Sequence, residues 1–489
     1  MSGRAELQIA LGTGRKGERA RQQQPLRLLI LADFSGRRQE SPAFAAHRFV
    51  LDEVDASIAK LSPVLRISRP DDTGPAQGLT VGSLDEFHPD ALVATVPYLR
   101  QLLEIARKLE QPATAREALD ELDAIAGAAS LAVAAPPAAE NRAPASESQD
   151  QLLSRLLGGA KRSADSNDRA KEQVRQLIQS ALEPQTQPAL SPRATDARAR
   201  VAQLLNDRCR ALLLDPQFRA VERAWRSVCW LASRLEDDQA EIHVVDVSKP
   251  DLARHVAAFG GRLDNSPLSR LLAGNDDERF DALVGDYSFA LDPDDLTLLA
   301  TVGAMAARAA LPFLAHGDLD LVGCGEGADA DAPATWGSAD AELAAVWDEF
   351  RHHPAARWIG LAAPRFLLRQ PYGAKTDPVE RFTFEELPVR ADRDAFLWAN
   401  PAFACALLMA QGRARDGAAV WPSTAGGDVS DLPMPIYHDR GGEAIQPPLE
   451  ILLSERARHA VSEGGLIPIA GGRNTNRIAV GMLQSFASS

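Results

Sequence analysis

The sequence predicts an α/β protein with mixed or parallel sheets flanked by helices, and three stretches carry that expectation. Phe280–Val284 is a short apolar run that stops at Gly285-Asp286. A helical pattern with Leu298, Leu299, Val302, Met305 and Ala309 on one side follows, and Leu311–Ala315 is apolar again. Strand, helix, strand in that order is a βαβ unit, for which parallel pairing is the default. Glu241–Val247 (EIHVVDV) reads as another strand. It leads to Ser248 and Pro250 at a helix start and Gly260-Gly261 at its stop, the residue asymmetry that helix ends favour. Near the other end of the chain, Leu26–Leu31 is apolar enough for a buried strand.

In chain order, Leu7-Gln8-Ile9-Ala10-Leu11 is a short alternating run, and Gly12-Thr13-Gly14-Arg15-Lys16-Gly17 is a literal GxGxxG before the Leu26–Ala32 strand and Asp33. This imitates a dinucleotide fingerprint. The only room for the required helix is Glu18–Gln24, ERARQQQ, which has no apolar face. A parallel crossover needs about a dozen residues or more, so the glycines mark a flexible or turning arm. DFSGRR (Asp33–Arg38) is a turn, and Val64–Ser68 and Gly78–Val81 read as short strands split by PDDTGPAQ. Ser83 caps a short turn before Glu86 and Phe87. A helix starts at Asp90 and runs to about Leu109, with a break near Thr95 because Pro97 removes an amide and crowds the preceding turn. Leu92, Val96, Leu99, Leu103 and Ala106 form its apolar stripe, widened by Leu102, Ile105 and Leu109. A stripe that wide needs a covering partner: a small sheet of its own, the rest of the chain, or another subunit.

Ala126–Asp150 is rich in alanine, proline and serine and lacks aromatics. It reads as a linker whose coil would span on the order of 25–30 Å. Gln151–Gly158 is a short amphipathic piece carrying Leu152, Leu153, Leu156 and Leu157, and Asp168–Leu182 is helical. A long helical region from about Thr195 to Leu235 breaks at Asp215-Pro216 and buries Val201, Leu204, Leu205, Leu212, Leu213, Phe218, Val221, Trp225, Val228 and Leu231. Asp292 and Pro293, with Asp294 and Asp295, form a helix start that satisfies exposed amides and suits the positive helix end. An acidic, glycine-rich loop at Gly317–Asp340, a helix at Ala341–Phe350 and a strand at Trp358–Leu361 follow. Helices at Phe396–Gln411 and Leu449–Gly464 and a last strand at Leu466–Ala470 complete the pattern. The expected organisation is therefore an N-terminal α/β part at 1–125, a linker at 126–150, a helical region at 151–240 and an α/β domain at 241–489.

The bulk numbers narrow the function. A chain of 489 residues exceeds one ordinary core. A net charge of −14 argues against nucleic acid as a partner, because phosphate binding needs a basic face. No apolar run approaches the roughly 18 residues of a span, so no membrane insertion is expected. The N-terminus has no apolar core of a secretory signal. Cys209, Cys229, Cys324 and Cys405 are scattered without a CxxC, as reduced thiols in the cytoplasm would be. His352 and His353 have no HExxH or clustered carboxylates around them, so neither a metal nor another cofactor is expected.

Pro364–Glu386 (PRFLLRQPYGAKTDPVERFTFEE) concentrates Arg365, Arg369, Tyr372, Lys375, Asp377, Glu380 and Arg381. Out of context residues 365–381 could be an anion-binding or catalytic loop, yet no nucleophile–base pair or phosphate loop accompanies them. Pro364, Pro371, Gly373 and Pro378 would instead hold an irregular, rigid segment. Arg365 and Arg369 would share a face if the segment were extended. The expected charge network comprises Arg365, Arg369, Lys375, Asp377 and Glu380, with Glu385 and Glu386 as further acidic partners.

Several of these stretches resemble the type VI secretion contractile sheath. Residues from about 7 to 125 resemble its small subunit, the TssB family, through PLRLLILADFSGR (Pro25–Arg37) and SLDEFHPDALVATVPYLRQLLEIARKL (Ser83–Leu109). Residues from about 150 to 485 resemble the large subunit, the TssC family. The carriers are FRAVERAWRSVCWL (Phe218–Leu231), FDALVGDYSF (Phe280–Phe289), Pro364–Glu386, FLWANPAF (Phe396–Phe403) and, loosely, GLIPIAGGRNTNRIAV. The chain thus resembles a fusion of both subunits across the linker.

The resemblance implies a sheath-protomer fold and a structural, non-enzymatic role. Its implied partners are other sheath subunits, an inner tube protein, baseplate proteins and an AAA+ ATPase that dismantles the contracted sheath. Leu7, Ile9 and Leu11 become a candidate strand exchanged between protomers. Leu152, Leu153, Leu156 and Leu157 become a candidate ATPase-recognition helix. The stripe from Leu92 to Ala106 becomes packing between subunits or between the two parts, and the 365–381 charges a structural network. Large subunits usually extend past the part matched by Leu466–Gln484, whereas this chain stops at Ser489 and carries NTNRIAVGML in place of an aromatic-rich ending. A non-polymerising sheath-like accessory or cap is therefore the alternative expectation.

Overall fold

The structure is a computed structural model that describes residues 24–487 apart from 39–42, 68–76, 130–190, 260–265, 275–278, 326, 339, 388–392, 418–420, 422–425, 435, 440–441, 446–447 and 473. The described residues divide into two compact units, one formed by 1–100 with 206–489 and the other by 101–205.

The larger unit is built on a nine-stranded sheet. Its strands are β1 (Leu26–Ala32), β2 (His47–Phe49), β5 (Ala240–Asp246), β6 (Ala282–Phe289), β7 (Phe313–Gly317), β8 (Ile359–Ala363), β11 (Gly427–Val429), β14 (Ile467–Gly471) and β15 (Ile478–Val480). The spatial order is β11-β15-β14-β8-β7-β6-β1-β5-β2. The run from β14 to β5 is parallel. Antiparallel strands close both sides, β2 on β5 and the β15–β11 pair on β14. The sheet is α/β, as the composition of the elements predicts.

The N-terminal strand lies inside this sheet. β1 pairs with β5 from Leu26↔Ala240 to Ala32↔Asp246 and with β6 from Leu28↔Ala282 to Leu31↔Gly285. Leu26, Leu28, Leu29, Ile30, Leu31 and Ala32 have no exposed surface. A strand covered by helices on both faces has to be apolar throughout rather than alternating, which is why LRLLILA fits this place. Successive side chains point to opposite faces. Leu29 and Leu31 enter a core that also holds Val245, Leu283, Phe313, Leu298, Leu299, Val302, Met305 and Trp347. The helices on that face are α7 (Lys249–Phe259), α8 (Pro267–Ala273), α9 (Pro293–Ala309), α10 (Ala341–Arg351) and α12 (Glu455–Glu463).

On the other face, α11 (Ala402–Asp416) runs against β1, β6, β7 and β8. Its residues from Ala402 to Ala410 are buried all round, the pattern of a helix enclosed by the core. α6 (Pro216–Ala232) packs beside it, with Trp225 against Phe34 at 4.9 Å and Phe49 at 6.5 Å between ring centroids. α1 (Val54–Leu61), the hairpin of β3 (Val64–Ile67) and β4 (Gln77–Thr80), and α2 (Pro89–Thr95) also belong to this unit, as does the hairpin of β12 (Ile436–Asp439) and β13 (Gly442–Ile445).

The predicted caps are present in the main. Asp292 accepts from the amides of Asp294 and Asp295, and Ser248 from Asp251. Ser83 precedes its short turn without a side-chain cap bond. α2 ends before Val96 and α3 (Pro97–Leu109) restarts at the proline, as the sequence requires. Other boundaries move. The segment from Phe396 begins as the strand β10 (Trp398–Ala399), paired with β9 (Phe366–Leu367), and the helix starts only after Pro401, because Asn400 is tied to β6. The helix expected from Leu449 starts at Glu455, where Ser454 accepts the amide of Ala457.

The smaller unit is helical. It contains the end of α3, α4 (Ala115–Ala129) and the start of α5 (Pro192–Leu213). Ile105, Leu109, Ala118, Leu122, Ala197 and Val201 form its core, with Ala106 and Leu119 at the margin. Ion pairs rim it: Lys108–Glu121 at 2.5 Å, Arg193–Asp123 at 2.8 Å and Arg198–Glu110 at 3.1 Å. α4 had no counterpart in the sequence reading, and it runs on to Ala129, into the segment read as linker. The rest of that linker lies outside the described residues. Among the described residues, no helix is long and apolar enough to cross a membrane.

Candidate functional site: a buried ionic cluster

α6 brings an acid onto its own apolar stripe. Asp215 starts the helix by accepting from the amides of Gln217 and Phe218, and Pro216 occupies the first turn. Phe218, Val221, Trp225 and Val228 then recur at helical spacing on the buried side, and Glu222 falls among them with no exposed surface. A carboxylate in that position is costly unless it is paired and hydrogen-bonded.

The partners come from the 364–386 stretch. Arg369 Nε donates to Glu222 Oε1 at 2.8 Å, and its Nη1 and Nη2 donate to Glu386 at 2.7 and 3.0 Å. Arg369 therefore forks between two carboxylates, the geometry that suits a guanidinium better than an ammonium. Arg226, one turn after Glu222, donates to the same Glu222 oxygen at 2.7 Å and to the Tyr372 hydroxyl at 3.0 Å. The Tyr372 amide donates to Glu386 at 2.8 Å, and the Tyr372 ring lies 4.0 Å from the Arg369 guanidinium carbon. Two arginines and two glutamates balance in charge. Burial alone would raise the Glu222 pKa, but Arg369 and Arg226 outweigh it and hold it below the ordinary value. Burial likewise opposes the charge on Arg369, and Glu222 and Glu386 hold its pKa well above the arginine range. Burial pushes Tyr372 upward, so its hydroxyl stays protonated and available to hydrogen-bond.

The other predicted members go elsewhere. Arg365 pairs with Glu450 at 2.6 Å. β9 covers only Phe366 and Leu367, so the stretch is not extended from Arg365 to Arg369, and the two arginines have different partners. Lys375 is exposed. The Asp377 carbonyl accepts the Gly373 amide at 2.8 Å, while its carboxylate lies 3.8 Å from His88. Glu380 takes part through its backbone: the amides of Glu380 and Arg381 both donate to the Asp90 carboxylate at 2.9 Å. Sequence reasoning missed Glu222 and Arg226. The legible signal was a glutamate at a helical apolar position with an arginine four residues on.

The same stretch and α6 touch the N-terminal part through side chains. The His88 ring meets Tyr372 at 4.8 Å, and Phe87 meets Phe218 at 5.5 Å. Leu92, Val96 and Leu99 are buried in the larger unit. Leu103 is buried and Ala106 packs on the core of the helical unit. Leu7, Ile9 and Leu11, and Leu152, Leu153, Leu156 and Leu157, lie outside the described residues.

Comparison with known proteins places these segments. The VipB family (EvpB/VC_A0108, tail sheath N-terminal domain) matches residues 196–487. The chain belongs to the type VI secretion tail-sheath family. A second family, the type VI secretion system VipA, VC_A0107 or Hcp2 proteins, matches residues 3–125. The chain thus joins a VipA-like, TssB-like region to a VipB-like, TssC-like one. The type VI secretion system sheath protein TssC1 of Pseudomonas aeruginosa is 34% identical over 274 residues, 53% of this chain and 54% of that protein. The chain spans about half the length of that sheath protein. Both halves of the ionic cluster, on α6 and in 364–386, lie within the sheath-family region.

Proposed function

We propose that the chain is a fused protomer of a type VI secretion contractile sheath, assembling around an inner tube and contracting to drive effector delivery. One observation carries the reading. β1, from the VipA-like region, pairs on both sides with strands of the VipB-like region, so the two sheath regions share one sheet within one chain. The role is structural rather than catalytic, and its setting is the cytoplasm. The partners are further sheath subunits, a tube protein, baseplate proteins and an AAA+ ATPase. In this reading Leu7, Ile9 and Leu11 form the strand exchanged with a neighbour, and Leu152, Leu153, Leu156 and Leu157 form the element read by the ATPase. The stripe from Leu92 to Ala106 joins the two sheath regions, and the Arg369 cluster holds the sheath core rigid.

Negative-stain electron microscopy of the protein, alone and with tube subunits, tests the assembly. Tubes or stacked rings are the expected result. Monomers under every assembly condition would overturn it in favour of a non-polymerising accessory or cap.

A further inference from the structure

The loop from Tyr372 to Glu386 is gripped at two places. Its neck is tied to itself. The Tyr372 amide donates to the Glu386 carboxylate, and the Glu386 amide donates to the Tyr372 carbonyl, both at 2.8 Å. Gly373 and Glu385 face each other across the neck, and the Ala374 amide donates to the Glu385 carboxylate at 3.1 Å. A side chain at Gly373 would collide with that carboxylate. From α5, Arg210 Nε donates to the Glu385 carbonyl at 2.8 Å. The neck so formed presents Glu386 to Arg369.

The far arc of the loop is held from the VipA-like region. Asp90, in the first turn of α2, accepts the Arg381 amide on one carboxylate oxygen and the Glu380 amide on the other, each at 2.9 Å. Such charge-assisted bonds are stronger than neutral ones. His88, which caps α2, adds its ring contact with Tyr372 at 4.8 Å and approaches the Asp377 carboxylate at 3.8 Å. The Asp377 carbonyl leads back to the neck by accepting the Gly373 amide at 2.8 Å. If Glu386 were withdrawn, Arg369 would keep Glu222 but lose a carboxylate that takes bonds from both its Nη1 and Nη2. Buried donors left without an acceptor are costly, so a small shift of the loop breaks the cluster rather than stretching it.

We propose that the 372–386 loop is a docking sensor: by holding the amides of Glu380 and Arg381, Asp90 positions Glu386 in the Arg369 fork, so the ionic cluster closes fully only when the VipA-like region is seated. Asp90 is a positioning residue that acts through the loop, and it lies in the VipA-like region, whereas the loop and α6 lie in the VipB-like one. A displacement of α2 reaches Glu222 on α6 by way of Asp90, the arc, Glu386 and Arg369. Coupling between two sites is reciprocal, so loss of the fork loosens the Asp90 grip in turn. The inference concerns the chain by itself and holds whether or not the chain polymerises.

Site-resolved amide hydrogen exchange of the full chain reads the coupling, with the amides of β8 as an internal reference for the fold as a whole. In Asp90→Ala the Glu380 and Arg381 amides lose their acceptor. Protection of the Tyr372 and Glu386 amides is then expected to fall about tenfold more than that of β8. An arc that opens while Tyr372 and Glu386 keep their protection would overturn the proposal, as would a fall shared equally with β8. Asp90→Asn keeps an acceptor oxygen, so the losses in arc and neck should shrink together, and a neck loss that does not follow the arc counts against the sensor. Glu386→Gln reads the same coupling from the other end. It should lower protection of the Glu380 and Arg381 amides beyond any change in β8, and no such excess overturns the proposal.

Discussion

β1 and the Arg369 cluster both join residues far apart in the sequence, and they do so by opposite chemistry. β1 is held by apolar side chains without exposed surface and by main-chain pairing on both edges. The Arg369 cluster is held by charges that each need the others. Burying an aliphatic side chain contributes about 1.5–3 kcal/mol, so the five leucine and isoleucine side chains of β1 contribute on the order of 10 kcal/mol together. A buried ion pair contributes little net over an apolar replacement, because desolvation offsets most of the attraction. The strand therefore supplies stability, whereas the cluster supplies a penalty for any arrangement that leaves one member alone.

The sharpest way to break that contrast is Ile30→Asp. An unpaired carboxylate in the middle of the central strand is expected to cost about 5 kcal/mol or more, comparable with the whole stability of a domain. Soluble yield and urea unfolding followed by circular dichroism measure it. An unfolding midpoint near that of the wild type would remove β1 from its central role.

Arg369→Ala comes next, at about 3–5 kcal/mol, because Glu222 and Glu386 lose their shared partner while still buried. Arg369→Lys should recover only part, since an ammonium cannot fork between two carboxylates. Urea midpoints of the two variants rank them, and equal midpoints would mean that the fork geometry is immaterial.

A smaller effect appears with acid. The Glu222 pKa is lowered in the fold, so its contribution is present above the ordinary glutamate value of 4.5 and is lost as pH falls toward the depressed one. Thermal unfolding of the wild type should weaken on acidification below that value, and Glu222→Gln should weaken less steeply from a lower starting point. Parallel curves would assign the acid sensitivity to other carboxylates.

The smallest change is expected from Arg198→Ala in the helical unit. Its pair with Glu110 is half exposed on both sides, and such pairs contribute about 1 kcal/mol or less. A loss as large as that of Arg369→Ala would show that burial is not what separates the two kinds of charge.

The sequence by itself determined several elements of this protein. Apolar density marked β1, capping chemistry at Asp292 and Pro293 marked α9, and Pro97 set the break between α2 and α3, because these signals act within a few residues. It also marked 364–386 as a charged, turn-rich segment and tied it to the sheath family. Only the tertiary structure decided that β1 lies between β5 and β6, since apolar side chains specify burial but not which edge they meet. Only the tertiary structure chose Glu222 and Glu386 for Arg369, sent Arg365 to Glu450, and drew Glu380 in through its backbone amide. A buried ion pair depends on two distant charges losing water together, and no local spacing records that.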